Sequence, residues 1–326
     1  MFKSPFEEKK DLIVVSDAFL QQYAGGAEMT LESFLDVTRE KYNIHKINCS
    51  DLTLDVFNQI MSNFKNAKWL FGNIGNISAN ILNMVIFRVK NYDVIECDYK
   101  YCMYRSEELH KFKEGVNCNC HTNLQLTHII SNFYSKAKRI FWMSDQQKEI
   151  TNNKIRITCN NQITLSSVFE KTHINYIKNL KDNTELKRSN KFIILKSPSW
   201  VKGYDQAFDY CKKNNIEYEE VWNLEYSELL KKLRTSKGLV YLPNGRDTCP
   251  RLVIEAKLLG CELILNNNVQ HKDELWFDTN DPVDTESYLF AARDRFWNGI
   301  KHNMNFQATI SGYTTTKDCN IQNYPW

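Results

Sequence analysis

The stretch YLPNGRDTCPRLVIEAKLLGCELILNN, residues 241–267, contains the clearest indication of the fold. GLVYLP, which leads into it, and CELILNN, which ends it, have the length and apolar content of buried strands. RLVIEAKLLG between them has the pattern of a helix that ends at Gly260. Asp247 and Glu255 therefore bracket a turn from a strand to a helix. We ask which chemistry needs two carboxylates at such a turn.

The same alternation runs along the whole chain. Strand-length runs alternate with helical patterns through DLIVVSDAF, EMTLESFLDVTREKY, IHKINCS, LDVFNQIMSNFKN, KWLFGN, ANILNMVIFRVKN, YDVIECD, GVNCNCH, LQLTHIISNFYSKA, RIFWMS and KIRITC. A second, shorter set starts at KFIILKSP and continues to CELILNN. Such alternation predicts α/β architecture, with parallel sheets covered by helices on both faces, because crossovers between parallel strands are right-handed.

The charged segment KNLKDNTELKRSNK interrupts the alternation and has the composition of a linker. We predict two tandem Rossmann-like domains with a cleft between them. The predicted parts are an N-terminal domain (1–177), a linker (178–191), a C-terminal domain (192–283), and a C-terminal helix with a tail (284–326) that packs back on the first domain.

Composition narrows the classes of protein. The 326 residues are 42% hydrophobic and 25% charged, which is typical of a globular chain with room for two domains. The net charge of +3 is small and scattered, so it gives no basic stripe of the kind that binds nucleic acid. The N-terminal stretch resembles neither a secretory signal nor a membrane span, and we expect a cytoplasmic protein.

The chain has ten cysteines, which we interpret as reduced thiols in a protein without an export signal. One group has the residue types of a metal site: Cys97, Cys102, Cys118, Cys120 and His121. Zinc sites usually show paired C-x2-C spacings, and CNCH has no matching second pair. We therefore expect no metal.

Two turns after strands are candidates for binding anions, since ligands of α/β sheets lie where strands end and helices begin. Gly25 and Gly26 follow the first strand and let the backbone approach a phosphate closely, although a plain loop turn explains them equally well. Lys196 and Lys202 flank the end of the first strand of the second set and can neutralise a diphosphate. Solvent-exposed lysines are the alternative.

The third candidate is the turn with the two acids. Pro250 is placed as a first-turn proline, which leaves the N–H groups of Arg251 and Leu252 free near the helix start. Glu255 can accept hydrogen bonds from a vicinal diol such as a ribose, and Asp247 can reach the hydroxyls of a sugar. The structural alternatives are a capping acid at Asp247 and an exposed helix acid at Glu255.

The segment DTCPRLVIEA resembles the E-G-F-P-L-V-V-L-E-A segment of retaining GT-B glycosyltransferases of the GT4 kind, and it keeps their separation of seven residues between the acids. GGAE (25–28) looks like the glycine loop of that family, and VKG with Lys202 looks like its K-G motif. Lys196 lies where the family usually has arginine. CHT (120–122) resembles the strand end that carries the active-site histidine of the family.

The resemblance implies a GT-B fold and transfer of a sugar from a UDP- or GDP-sugar to a hydroxyl group, with retention and without a metal or other cofactor. It assigns the ribose to Glu255, the donor sugar to Asp247, and the diphosphate to the two lysines. His121 would line the donor-sugar and acceptor side, unless it is a satisfied core histidine. The implied donor-binding set is Gly25, Gly26, Lys196, Lys202, Asp247, Thr248, Cys249, Pro250, Arg251, Leu252 and Glu255, and the implied catalytic set is His121, Asp247 and Lys202.

Other functions remain open at this stage. Glu96-x-Asp98 imitates the metal-binding D-x-D of one-domain GT-A transferases, which need a divalent ion. A nucleotide-sugar-binding protein without turnover is a second alternative, and the acceptor can be a glycan, a lipid or modified DNA. We expect donor binding to close the two domains. We expect Glu255→Gln to leave stability almost unchanged whether or not the acid binds the donor, and to lower kcat/KM roughly ten- to a hundredfold if it does.

Overall fold

The computed structural model describes residues 9–23, 25–36, 39 and 41–302. Within them the chain forms one six-stranded and one four-stranded sheet, and every strand pairing within the two sheets is parallel. The predicted tail beyond residue 302 lies outside the described residues. The α/β prediction with parallel sheets is confirmed.

The first sheet has the strand order β2-β1-β3-β4-β5-β6. Its strands are β1 (Lys10–Ser16), β2 (Tyr42–Asn48), β3 (Lys68–Phe71), β4 (Tyr92–Glu96), β5 (Arg139–Trp142) and β6 (Gln162–Thr164). The helices of this part are α1 (Gly26–Asp36), α2 (Leu54–Asn63), α3 (Ala79–Arg88), α4 (Glu107–Glu114), α5 (Leu124–Lys136) and α6 (Asp145–Lys154).

The second sheet has the order β10-β9-β7-β8. It is built from β7 (Phe192–Leu195), β8 (Tyr218–Val221), β9 (Gly238–Tyr241) and β10 (Glu262–Leu265). The remaining helices are α7 (Lys171–Asp182), α8 (Tyr204–Lys213), α9 (Tyr226–Thr235), α10 (Arg251–Leu258) and α11 (Pro282–His302).

Burial explains why the central strands are apolar without alternation. In β1, the side chains of Leu12, Ile13, Val14 and Val15 are all buried. Helices cover both faces of a parallel sheet, so a central strand has no face left for polar residues. The apolar runs of the sequence therefore mark the middle of each sheet.

Two predicted strands differ in the structure. GVNCNCH forms no strand, and Cys120–Thr122 is a short 3₁₀ turn that Asn119 closes by accepting a hydrogen bond from the N–H of Thr122 (2.9 Å). KIRITC forms no strand either, and pairing with β5 begins only at Gln162. Both predictions rest on local apolar content alone, whereas a strand also needs a neighbour with free backbone groups.

The predicted linker is partly helical. α7 extends to Asp182, because Ile174, Ile177 and Leu180 recur at helical spacing and are buried. The remainder of the segment leads to β7. The division of the chain into domains at 178–191 stays a prediction.

α11 contacts the first sheet and its helices. The ring of Phe296 stacks on Phe34, with centroids 4.1 Å apart, and lies 4.6 Å from Phe141. The guanidinium of Arg295 donates a hydrogen bond to the carbonyl oxygen of Leu165 (2.9 Å). No helix in the described ranges is both long and apolar enough to cross a lipid bilayer.

Candidate functional site

Asp247 lies in the loop after β9, and neighbouring groups fix its carboxylate. Its backbone N–H donates to Asn268 (2.8 Å), and its carbonyl accepts from the N–H of Gln270 (3.1 Å). The side chain, 11% exposed, accepts hydrogen bonds at Oδ2 from Lys202 Nζ (2.7 Å) and from the hydroxyl of Tyr241. Oδ1 has no hydrogen-bond partner among the described residues, so it is the oxygen that a ligand can reach.

Lys202 reaches Asp247 from a 3₁₀ turn, Trp200–Lys202, that packs on the end of β9. The turn ends at Gly203, whose φ is +66°, and a Cβ at this glycine would lie 2.0 Å from the carbonyl oxygen of Leu242. Only glycine permits this close approach. The contact places the lysine next to the acid, as the predicted site requires.

Lys196 has a different partner. Its ammonium group pairs with Glu220 on β8 (2.5 Å), and its side chain is 55% exposed. β8 and β9 lie on opposite sides of β7 in the sheet. The two lysines of the predicted diphosphate site therefore have partners on opposite sides of the strand that precedes them.

Glu255 is buried rather than exposed, which excludes the alternative of an exposed helix acid. Its Oε1 accepts hydrogen bonds from Arg251 Nε (2.9 Å) and from the hydroxyl of Tyr226 (2.8 Å). Burial raises the pKa of this carboxyl, and the guanidinium beside it opposes that shift. Oε2 has no partner among the residues that the structure describes. A ribose can reach this acid only through Oε2.

Arg251 connects the same pair to the segment between β6 and α7. Its guanidinium donates to the carbonyl oxygen of Val168 (2.6 Å) and lies 3.8 Å from the ring centroid of Phe169. The sequence assigns only the backbone N–H of this arginine. Its side chain instead forms a buried contact with the segment that connects β6 to α7.

The starts of α10 and α1 face each other. Pro250 is the N-cap of α10, one position before the predicted first turn, and no side chain caps this helix. The N–H groups of Arg251 and Leu252 have no acceptor in the described part of the chain. A Cβ at Gly26 would lie 3.6 Å from the Cβ of Arg251. Uncapped N–H groups at a helix start favour an anion.

Thr248 and Cys249 attach the same loop to the first sheet. The hydroxyl of Thr248 donates to the carbonyl oxygen of Cys97 (2.8 Å). The hydroxyl of Ser167 donates to the carbonyl oxygen of Cys249 (2.8 Å). These groups position the loop between the two sheets.

The glycine loop has an acidic environment. A Cβ at Gly25 would lie 2.4 Å from Glu28 Oε2. Burial raises the pKa of Glu28, and the nearby Asp17 raises it further. Asp17 itself accepts from the backbone N–H groups of Gly75 (2.7 Å) and Asn76 (2.8 Å). Carboxylates here favour sugar or acceptor hydroxyls over a phosphate.

Glu96 and Asp98 have internal partners. Glu96 is fully buried and accepts from Lys100 Nζ (2.7 Å) and from the hydroxyl of Tyr134. Asp98 pairs with Lys100 (3.2 Å) and with Arg105. The two cations and the tyrosine hydroxyl occupy the oxygens that a metal of the GT-A kind would need. The second parallel sheet does not fit a one-domain transferase either.

His121 lies in the 3₁₀ turn Cys120–Thr122 instead of at a strand end. Its carbonyl accepts from the hydroxyl of Thr127 (3.0 Å), and its Nδ1 is buried without a partner among the described residues. Among the described residues, no hydrogen bond or ring contact links its side chain to Asp247, Lys202 or Glu255. Its role stays a prediction.

The sequence does not single out His271, which is buried near Asp247. It is fully buried, with its ring 5.5 Å from Trp276 and 4.6 Å from Phe277 between centroids. Neither ring nitrogen has a hydrogen-bond partner within the described ranges. Burial lowers the pKa of His271 to about 3, and the charge of Asp247 opposes that shift. Nothing in the local sequence pattern distinguishes this histidine from a surface one.

The sequence matches no protein-family model and no curated protein. Solved structures resemble the chain over nearly its full length. HepE from Anabaena, in complex with UDP and glucose, superposes with a TM-score of 0.53 at 10% identity, covering 93% of this chain and 100% of that one. The trehalose-6-phosphate synthase OtsA gives 0.52 at 10% identity, with 93% and 99% covered. A UDP-forming α,α-trehalose-phosphate synthase from Burkholderia xenovorans gives 0.50 at 8% identity, with 94% and 98% covered.

At these identities the similarity concerns the fold. The neighbours are glycosyltransferases with the GT-B fold, and their coverage includes both parallel sheets of this chain. The chain therefore has the GT-B fold, as the resemblance of DTCPRLVIEA implies.

Proposed function

We propose that the chain is a glycosyltransferase that moves a sugar from a UDP-sugar to an acceptor hydroxyl with retention of configuration, as the GT4 resemblance implies. One observation carries the proposal. Lys202 and Tyr241 hold the carboxylate of Asp247 at the end of β9, shortly before the uncapped start of α10. In the GT-B fold this loop faces the first sheet. The UDP and glucose bound to HepE, and the UDP-forming activity of the Burkholderia synthase, favour UDP over GDP.

Each group has a part in the proposed transfer. Asp247 Oδ1 accepts hydrogen bonds from the donor sugar, and Oε2 of Glu255 accepts them from the ribose. Lys202 and the N–H groups at the start of α10 bind the diphosphate as its negative charge increases, so this step needs no divalent ion.

Retention follows from the face of attack. The bond from the anomeric carbon to the diphosphate oxygen breaks, and the acceptor oxygen forms its bond on the same face. The departing diphosphate takes the proton of the acceptor hydroxyl. Glu28 and Asp17, beside the glycine loop, are suited to orient the acceptor. Glycan, lipid and modified-DNA acceptors all fit this scheme.

Lys202→Met tests the proposal. We expect UDP release from UDP-sugars to fall at least a hundredfold in kcat/KM, because the variant loses the cation that stabilises the leaving diphosphate. Lys232→Met is the matched control, since Lys232 also pairs with a carboxylate, that of Glu219 (2.6 Å), but on the outer part of the second sheet. Wild-type UDP release by a folded Lys202→Met protein would overturn the assignment.

A nucleotide-sugar-binding protein without turnover is a second candidate. The observation that favours it is the ion pair of Lys202 with Asp247 (2.7 Å), because this carboxylate already neutralises the cation that transfer would need for the leaving diphosphate. A thermal-shift panel of UDP, GDP, ADP and their sugars identifies the ligand, because a ligand that binds the folded state raises the melting temperature. A shift with UDP-sugar but no product with any acceptor would favour the binding protein.

A further inference from the structure

Four potential metal ligands converge beside the first sheet. They are the sulfurs of Cys102, Cys118 and Cys120 and the Nδ1 atom of His110, and all four atoms lie within 4.8 Å of one another. Cys102 Sγ lies 3.5 Å from Cys118 Sγ and 3.8 Å from His110 Nδ1. Cys120 Sγ lies 3.4 Å from the same nitrogen. Within the part of the chain that the structure describes, no other group of three or more such ligands converges in this way.

Three of the six distances between the ligand atoms match the edges of a zinc tetrahedron. Zinc bonds of about 2.3 Å to sulfur and about 2.0 Å to nitrogen place two sulfurs about 3.7 Å apart, and a sulfur about 3.5 Å from a nitrogen. The three distances given above agree with these values to within about 0.3 Å, and all pairs of ligand atoms lie within 4.8 Å. We propose that the cluster binds one Zn²⁺ through three thiolates and one imidazole. Four protein ligands leave no position for substrate, so the ion is structural.

The spacing of the ligands explains why a motif search misses them. Seven, seven and one residues separate successive ligands, and C-x2-C pairs are absent. His110 comes from α4, whereas the sequence points to His121 and Cys97. The fold brings α4 against the two cysteine loops, and Cys102, His110 and Cys120 are all buried.

A disulfide between Cys102 and Cys118 is the competing explanation. It would require the sulfurs to approach from 3.5 Å to about 2.0 Å. A disulfide would also not explain why the imidazole of His110 and the thiol of Cys120 lie beside the same two sulfurs. A zinc ion uses all four groups.

The ion would stabilise the contact between the two sheets. It would fix α4, whose first residues, Glu107 and Glu108, pair with Arg246 at 2.9 Å and 2.7 Å. Arg246 immediately precedes Asp247. Metal binding would therefore act on the proposed site through α4 and this arginine, without touching substrate.

Metal analysis of the full-length protein tests the proposal and does not depend on the proposed function. We expect about one zinc per chain in protein purified without chelator. Cys118→Ser and His110→Ala should each lose most of it. Cys211→Ser, at a buried cysteine outside the cluster, should retain it. Because the ligand variants can fail to fold, wild-type protein with Co²⁺ in place of zinc gives a second readout, namely visible bands of tetrahedral cobalt with a thiolate charge-transfer band.

Two results would overturn the inference: wild-type protein that takes up neither zinc nor cobalt, or a Cys102–Cys118 disulfide found by mass spectrometry under non-reducing conditions. Chelation gives a further test through the melting temperature. A decrease in melting temperature after chelation that is reversed by Zn²⁺ and not by Mn²⁺ would support the structural site. Reversal by Mn²⁺ alone would contradict it.

Discussion

Asp247 and Glu255 have contrasting environments although they belong to one loop and helix. Asp247 is partly exposed and keeps one oxygen free, whereas Glu255 is buried against a guanidinium. The first arrangement suits recognition of sugar hydroxyls. The buried pair of Glu255 and Arg251 also stabilises the folded state. A change at Glu255 should therefore affect stability as well as donor binding.

Glu255→Gln is expected to destabilise the protein by about 3 kcal/mol, because it leaves the buried charge of Arg251 without its partner. This corrects the sequence-based expectation of nearly unchanged stability, which did not include the buried pair with Arg251. Denaturant unfolding measures the effect. Glu262→Gln is the control, since Glu262 and its partner Lys237 (3.4 Å) are both more than half exposed, and its cost should stay within about 0.5 kcal/mol. Equal stability of both variants would contradict the burial of the Glu255 pair.

His271 should make the protein sensitive to acid. In the unfolded chain its imidazole binds a proton below about pH 6.5, whereas the folded protein keeps it neutral down to about pH 3. The folded state then binds fewer protons, so this contribution to stability is complete above pH 6.5 and is lost as the pH falls. From pH 7 to pH 5 the loss is about 2 kcal/mol.

His271→Phe should therefore reduce the difference in unfolding free energy between pH 7 and pH 5 by about 2 kcal/mol. Phe277→Leu disturbs the same aromatic group but keeps the imidazole, so it should retain the difference. Glu274, whose pKa burial raises to about 7, is present in all three proteins and cancels in the comparison. An unchanged pH dependence in His271→Phe would show that the imidazole is solvated or charged in the folded state.

The 3₁₀ turn before α8 is the element that carries Lys202 to the site. Its position depends on the contact between Gly203 and the backbone of Leu242. The lysine can face Asp247 only while this turn lies on the end of β9. Stability and donor binding are therefore coupled in this element.

Gly203→Ala should cost more than about 2 kcal/mol, because a positive φ and a clash with backbone act together. Gly115→Ala is the matched control. Gly115 caps α4 with a φ of +72°, and its added Cβ would meet nothing within 4 Å. Gly115→Ala should therefore cost only about 1 kcal/mol, the conformational cost of alanine at a positive φ. We also expect Gly203→Ala, and not Gly115→Ala, to weaken UDP binding in calorimetry. Similar costs for both variants would exclude the close approach.

The two sheets are in direct contact through residues 246–251 and the loop after β10. Arg246 pairs with α4, Thr248 donates to Cys97, and Gln270 donates to the hydroxyl of Tyr99. A continuous hydrophobic core also contains residues of both sheets. The described arrangement is therefore a closed one.

Donor binding should accordingly change the radius of gyration of the wild-type protein little, in contrast to the closure that the sequence suggests. Small-angle scattering with and without UDP-sugar measures this. Arg246→Ala removes both ion pairs to α4 and should give a larger radius without donor, which decreases when donor binds. A clear decrease for the wild-type protein would show that the free molecule opens despite these contacts.

Local patterns in the sequence are sufficient for the parallel sheets and the turn after β9. Each depends on residues close together in the chain, where periodicity, glycine and proline act directly on the backbone. The strand ends also set which loops face the cleft, because parallel strands present their carboxyl ends on one edge. The prediction of a strand is wrong for GVNCNCH and for KIRITC. Within the described residues, neither short segment lies beside a strand with which its backbone could pair.

The partners of the charged and metal-ligating groups depend instead on distant parts of the chain. Lys196 pairs with Glu220 from the next strand, and Glu255 is enclosed by Tyr226 and by Arg251, which itself reaches Val168. His110 joins three cysteines only because α4 folds against their loops. Burial, pKa and coordination are properties of all the atoms around a group, and the sequence near that group specifies only some of them.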